Sequence, residues 1–408
     1  MANADAIANV FDPALRADPY PAYARLRAEA PVCETPWGGW LISRYAGCVT
    51  LLKDPRASSD PGHSNAYKSA VERGLIDPDE ALGRTPPFLI TDPPDHTRLR
   101  GLVSKAFTPK VIEGLRPRVQ EIVDELLHGA AERGETELIE EIAYPLPVRV
   151  VCELLGVPPE DHGTFKEWSR LLSRSMDPQP LLPPDVIEGR RRAGNAFTQY
   201  FRDLIAERRR APRADLISAL IEAEEASDKL SGDELLSTCI LLLAAGHETT
   251  VNLIGNGVLA LLRQPEQRRK LRDDPSLAAG AVEEVLRYDS PVQMVTRTAM
   301  EEIALGAVTV RKGQQAALLI ASANRDAAQF PGPDRFDITR SDSRHLGFGF
   351  GLHACLGAPL ARVEGGIALQ TLVGRFDGLE LLVDPPEYKE SFVNRGPRTL
   401  PVGFASVR

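Results

Sequence analysis

From His96 onward, apolar positions recur every three or four residues, the period of helices that bury one face. The spacing predicts helices over 98–107, 110–127, 148–155, 165–174 and 186–210. An earlier stretch, 21–27, has the same period, whereas Trp40-Leu41-Ile42-Ser43 reads as a strand. Between Asp60 and Pro94 the pattern weakens under Pro61, Gly62, Gly83, Pro86, Pro87, Pro93 and Pro94. Long irregular stretches in compact proteins are usually binding loops or lids. Asp177-Pro-Gln-Pro-Leu-Leu-Pro-Pro184 cannot be helical and predicts another surface loop. Ser231-Gly-Asp-Glu234 has the spacing of a capping box, and the helix it opens runs without proline to about Arg263, before Pro265. At about 1.5 Å per residue, such a helix crosses the body of a domain. A further helix is expected over 275–288, strand-like pieces over 303–310 and 316–321, and a last helix from Cys355.

A chain of 408 residues suggests two to three domains at about 150 residues each, or one large core. No interior linker, repeat or low-complexity block divides it, so the expectation is a single unit over 1–408. It is mainly α with small β-sheets: a helix-rich body over about 96–300 and 355–380, and minor sheet near the N-terminus, at 303–321 and at the C-terminus. With 43% hydrophobic and 26% charged residues, disorder, collagen-like repeats and disulfide scaffolds are excluded. A net charge of −9 lacks the positive field of a dedicated nucleic-acid binder. Cys33, Cys48, Cys152, Cys239 and Cys355 are scattered and form no C-x-x-C pair, which points to a reducing compartment and away from zinc ribbons and iron–sulfur clusters. The N-terminus lacks a cationic region before an apolar stretch, unlike a signal peptide. The most apolar run, 239–245, is far short of the 18 or more residues needed to span a bilayer. The expected location is the cytoplasm, with no membrane association.

The middle of the long helix reads Ala244-Ala245-Gly246-His247-Glu248-Thr249-Thr250. An interior glycine costs about 1 kcal/mol and the β-branched run adds to it, so a core helix that breaks local rules here is suspect for function. The H-E-x-x-H zinc pattern fails, because position 251 is Val251. Glu284 and Arg287, three apart, share a helix face and can pair. The stretch from His345 to Arg362 is richer. Gly349-x-Gly351-x-x-Ala354 fits a loose dinucleotide fingerprint, but neither the preceding strand nor the later acid appears. Gly347, Gly349, Gly351 and Gly357 let backbone approach a flat ligand. Cys355 sits where a helix begins, with Pro359 in its first turn, so the free amides and dipole there are expected to favour a thiolate. A thiolate in an amide-lined loop suits an axial iron ligand.

Phe348-Gly-Phe-Gly-Leu-His-Ala-Cys355-Leu-Gly357 resembles the haem-binding signature of the cytochromes P450. Three further motifs follow the family order. Ala245-Gly-His-Glu-Thr-Thr250 is similar to its oxygen-activating segment, and Glu284-Val-Leu-Arg287 to its E-x-x-R pair, with Arg335 as third member. His96-Thr-Arg-Leu-Arg100 is similar to its H-x-x-x-R segment. The resemblance implies a soluble bacterial-type P450 fold, with the long helix over haem b, and Cys355 as the iron ligand. It implies contacts to the haem from His96, Arg100, Ala245, Arg297, Phe348, Gly349, His353 and Gly357, and proton delivery by Glu248 and Thr249. Glu284, Arg287 and Arg335 would hold the thiolate loop, and Gly246 would open the helix locally for O₂. The expected activity is hydroxylation or epoxidation of a lipophilic macrolide, terpenoid or steroid. Phe88, Leu89, Leu242, Ala245, Val292, Val295, Phe392 and Val393 are the expected pocket. Electrons would come from a ferredoxin and an NAD(P)H-dependent reductase, docked near Arg98, Lys105 and Arg362 on a monomer. A peroxide-driven peroxygenase or a haem sensor without turnover would have no need of Glu248-Thr249. The arginine runs 190–192 and 208–210 read as solvated helix faces.

Overall fold

The computed structural model describes residues 10–35, 38–77, 85–130, 133–172, 174, 177, 182–227 and 230–408. Its helices are α1 (Tyr20–Glu29), α2 (Tyr45–Lys53), α3 (Asn65–Glu72), α4 (Asp95–Val103), α5 (Pro109–Ala130), α6 (Pro145–Leu155) and α7 (His162–Leu172). They continue as α8 (Pro184–Arg210), α9 (Leu216–Ser227), α10 (Gly232–Arg263), α11 (Pro265–Asp273), α12 (Ala278–Tyr288), α13 (Ile320–Ala323) and α14 (Ala358–Arg375).

The long helix α10 is the axis of the fold. It starts at the capping box: the Glu234 amide donates to Ser231 Oγ, and the Ser231 amide donates to Glu234 Oε2. Every residue from Thr250 to Leu261 is buried, so this half is covered on all sides, as a core helix must be. Helices α5, α6, α8, α12 and α14 share its main apolar cluster. A Cβ on Gly257 would come within 2.8 Å of Leu369 on α14, so that glycine sets how closely the two helices approach.

A five-stranded sheet flanks the helices in the order β1 (Val32–Glu34), β2 (Trp40–Ile42), β5 (Gln315–Leu318), β4 (Val295–Ala299), β3 (Ala57–Ser58). Strands β2 and β5 run parallel and the other pairs antiparallel. The register sets Arg297 of β4 opposite Ala316 of β5. The segment 303–310 is a hairpin of two short strands, Ile303–Leu305 and Val308–Val310, and 316–321 is a strand that turns into α13 rather than one continuous strand.

Other departures have local causes. Helix α3 lies inside the stretch expected to be irregular; it has no buried residue, so it leaves no apolar stripe to read. Residues 78–84 of that stretch, and 178–181 of the proline-rich loop, fall outside the described residues. Helix α11 was not anticipated because Pro265, read as a stop, is the first residue of the next helix, a position that suits proline. Helix α9 was also not anticipated. Arg208 is no solvated residue: its side chain is 1% exposed, pairs with Asp215 at 2.5 Å and donates to the Gly156 carbonyl.

Candidate functional site

The glycine-rich loop is shaped by backbone that side chains would block. Gly349 and Gly351 have φ of 69° and 73°, a left-handed conformation that favours glycine. A Cβ on Gly351 would also stand 2.5 Å from the Leu52 carbonyl oxygen. The Cys355 amide closes the loop onto the Phe348 carbonyl at 2.8 Å, and α14 follows with Gly357 as its N-cap. Burial pushes the Cys355 thiol up, against the amides of Gly357 and Ala358 and the cations Arg100 and Arg362, which favour the thiolate. The amides at the start of α14 act in the expected direction, with burial opposing them, and a bound metal cation would hold the sulfur as thiolate. Cys355 is exposed whereas the other four cysteines are buried. An exposed sulfur that is still strongly desolvated lines an internal recess.

Four cationic or imidazole side chains gather nearby. His96 on α4 and His353 in the loop lie 4.2 Å apart between ring centroids. Arg100 donates to the Ala354 carbonyl at 2.6 Å and Arg297 to the Thr296 carbonyl at 2.8 Å. Among the described residues no carboxylate forms an ion pair with either guanidinium. Burial, then Arg297 and His96, bring His353 down to about 3. Burial brings Arg297 down to about 10, with Asp92 opposing. Both ring nitrogens of His96 and Nδ1 of His353 are buried without a partner. Orphaned buried donors in natural proteins call for a ligand or water, and this set suits carboxylates.

On α10, Ala245 and Gly246 are exposed between buried Leu243 and His247. The helix stays continuous here; the Thr249 hydroxyl donates to the Ala245 carbonyl and the Thr250 hydroxyl to that of Gly246, each at 3.3 Å. The expected local opening at Gly246 is absent, since the helix runs unbroken through it. Glu248 is buried and accepts a hydrogen bond from Lys389 Nζ at 2.6 Å, and the same ammonium donates to Asn252 Oδ1 at 2.7 Å. Lys389 was not found from sequence. A buried acid on a core helix demands a cation, but nothing along the chain says which. His247 turns away, its Nδ1 donating to the Leu243 carbonyl.

Glu284 and Arg287 form a buried bidentate pair, with both bonds at 2.8 Å. The third member is Arg340, not Arg335. Arg340 Nε reaches Glu284 at 3.1 Å, whereas the Arg335 side chain is 74% exposed and pairs with Asp337. Arg335 takes part only through its carbonyl, which accepts from Arg287 and Arg340. The turn 332–335 aims that side chain outward, which the motif spacing does not reveal.

The expected pocket is only partly assembled. Leu89 and Ala245 are exposed, and Phe88 and Leu242 sit in the main core. Val295 packs on the sheet cluster. Val292 and Val393 instead join Tyr20, Tyr23 and Leu26, and the Phe392 ring packs against Phe11 and Arg16. Of these last three only Val393 is buried; Val292 and Phe392 stay partly exposed.

The family model described as Cytochrome P450 matches residues 78–399. The chain belongs to the cytochrome P450 family. Cytochrome P450 107B1 of Saccharopolyspora erythraea is 44% identical over 403 residues, covering 96% of each chain. Vitamin D(3) 25-hydroxylase of Pseudonocardia autotrophica is 44% identical, covering 94% of this chain and 93% of its own. The ligand-free crystal structure of Mycobacterium smegmatis CYP164A2 superposes with a TM-score of 0.90 at 45% identity, covering 98% of this chain and 99% of that one. The protein is a monooxygenase whose family cofactor is haem b. The residues present fit that P450 cofactor. The recess offers Cys355 to the iron, and the orphaned nitrogens of His96 and His353, with Arg100 and Arg297, suit the two porphyrin carboxylates. Among the described residues no helix of this P450 is long and apolar enough to cross a membrane.

Proposed function

We propose that this P450 hydroxylates or epoxidises a lipophilic small molecule, with O₂ and two electrons from a separate ferredoxin and its NAD(P)H-dependent reductase. The observation that carries this reading is the buried Glu248, held by Lys389 and followed directly by Thr249, on the turn of α10 that leaves Ala245 and Gly246 exposed. Haem, when bound, supplies the reductive activation of O₂. The chain's own residues do the rest. Cys355 ligates the iron, and His96, Arg100, Arg297 and His353 hold the porphyrin carboxylates. Phe348, Gly349 and Gly357 shape the loop that carries Cys355, and Ala245 would line the haem site from α10. Thr249, whose hydroxyl rests on the Ala245 carbonyl, is the residue that would pass a proton on. Glu248, about 100° around the helix from it, moves protons inward from the Lys389 side.

The substrate is read as lipophilic, of macrolide, terpenoid or steroid type. The exposed apolar side chains of Leu89 and Ala245 support this, as does the relative named for 25-hydroxylation of vitamin D(3). A chain without a C-x-x-C pair supports an external iron–sulfur donor. Its docking near the thiolate loop rests on exposed Lys105. Arg98, engaged by Asp95 and Glu234, and Arg362, engaged by Glu283, contribute less. The protein acts as one unit in the cytoplasm.

The test has two arms. Lipophilic compounds are screened for a substrate-induced Soret shift, and hits are assayed for NAD(P)H consumption and oxygenated product with added ferredoxin and reductase. Turnover with NADPH alone, or substrate shifts without product under every donor system, overturns the reading. Separately, Cys355→His should abolish the carbon monoxide band near 450 nm while haem is retained; an unchanged band removes Cys355 as ligand.

A further inference from the structure

Beneath the thiolate loop lies a second ionic cluster that neither the E-x-x-R network nor the carboxylate-binding group uses. Glu283, the neighbour of Glu284 on α12, accepts from Arg362 Nε at 2.6 Å and Nη2 at 3.1 Å, and meets His345 Nε2 at 3.1 Å. His345 is no free partner for the porphyrin: its side chain is 3% exposed, and its Nδ1 accepts the Gly347 amide at 3.0 Å. With Nδ1 accepting, Nε2 carries the proton and donates to Glu283. Gly347 precedes Phe348, whose carbonyl receives the Cys355 amide. The Arg362 guanidinium also lies 4.7 Å from the Phe348 ring centroid. The cluster therefore grips the loop from three directions: the Gly347 amide, the Phe348 ring and the start of α14.

It also sets charge. Arg362 stands on α14 seven residues after Cys355, its guanidinium against the ring of Phe348, whose carbonyl receives the Cys355 amide. The Glu283 carboxylate, which burial would raise but which the hydrogen bonds of His345 and Arg362 bring down to about 2, offsets that cation at all working pH values. We propose that Glu283, His345 and Arg362 are positioning residues that fix the thiolate loop and balance the charge felt by the haem ligand. Glu283 acts as the counterweight to Arg362. A positive charge left unbalanced beside the sulfur favours the reduced, more negative haem, and a carboxylate left unbalanced disfavours it.

The experiment is dye-mediated potentiometry of the purified holoproteins without any redox partner, together with the carbon monoxide difference spectrum. Glu283→Gln keeps the shape and one acceptor, and should raise the ferric/ferrous potential. Arg362→Gln should lower it. The double variant should return close to wild type. His345→Gln, which can still reach Glu283 but offers no acceptor at the Nδ1 position, should convert faster from the 450 nm to the 420 nm form. His345→Asn, which keeps that acceptor, should convert more slowly than His345→Gln. A purely structural role shifts both single variants in the same direction, with no recovery in the double; that result, or no shift in either, overturns the proposal. Equal conversion rates for the two His345 variants overturn the loop-holding half. If the 450 nm band is missing from wild type, the ligand assignment fails instead, which separates the two failures.

Discussion

Replacing Arg340 and Arg335 separately by alanine measures which arginine completes the network around Glu284. Arg340 Nε donates to Glu284 at 3.1 Å, and its two terminal nitrogens donate to the carbonyls of Pro331, Gly332 and Arg335 at 2.8, 3.2 and 3.1 Å. A bond to a charged group is worth about 1.5–3 kcal/mol. The carbonyls lie at the rim, where water replaces the lost donor, so they add little. Glu284 retains Arg287 and the Asp337 amide, so the loss stays below the ~3–5 kcal/mol of stripping a buried ion of its partner. Arg340→Ala should therefore cost about 2–3 kcal/mol. With about 2.1 cal/mol/K of unfolding entropy per residue, a chain of this length loses roughly 1.2 °C per kcal/mol, or about 3 °C. Arg335, three-quarters exposed, should change stability by less than about 0.5 kcal/mol, under 1 °C. Scanning calorimetry of matched holoproteins resolves the difference. An Arg335→Ala loss equal to or larger than that of Arg340→Ala refutes the reasoning.

Thr249→Ala should keep haem content and substrate affinity yet divert most NAD(P)H electrons to hydrogen peroxide; full coupling with several substrates that lack a nearby hydroxyl sinks its assigned role. Lys389→Met removes the cation 2.6 Å from Glu248 and leaves a buried carboxylate without its partner, so turnover should fall several-fold while haem content holds. Unchanged turnover means that Lys389 does not govern the relay. Glu364 on α14 is buried, and burial raises it to about 8. The folded state holds this proton more tightly than the unfolded one, so stability should fall as pH rises from about 4.5 to about 8. Glu364→Gln should flatten that decline in urea midpoints, and an unchanged slope refutes the assignment.

Much was legible along the chain because the signals are local. The capping box, the helical period and the prolines at helix starts act within a turn or two, so α10 and most of its neighbours could be located from order alone. The glycines and Cys355 of the thiolate loop were readable for the same reason, since left-handed backbone and a cysteine beside a helix start leave a compact pattern. The polar helices α3 and α11 escaped because they are stabilised by caps and context rather than by an apolar stripe.

Partner choice was decided only in three dimensions. Lys389 meets Glu248, and Arg340 rather than Arg335 meets Glu284, because loops remote in sequence return to those helices. His345 faces Glu283, and Phe392 packs on the N-terminal segment, for the same reason. The sequence by itself determined which residues carry charge and where the helices run. The tertiary structure decided which charges are buried together, since ion pairing depends on distance and desolvation, and neither is a property of sequence separation.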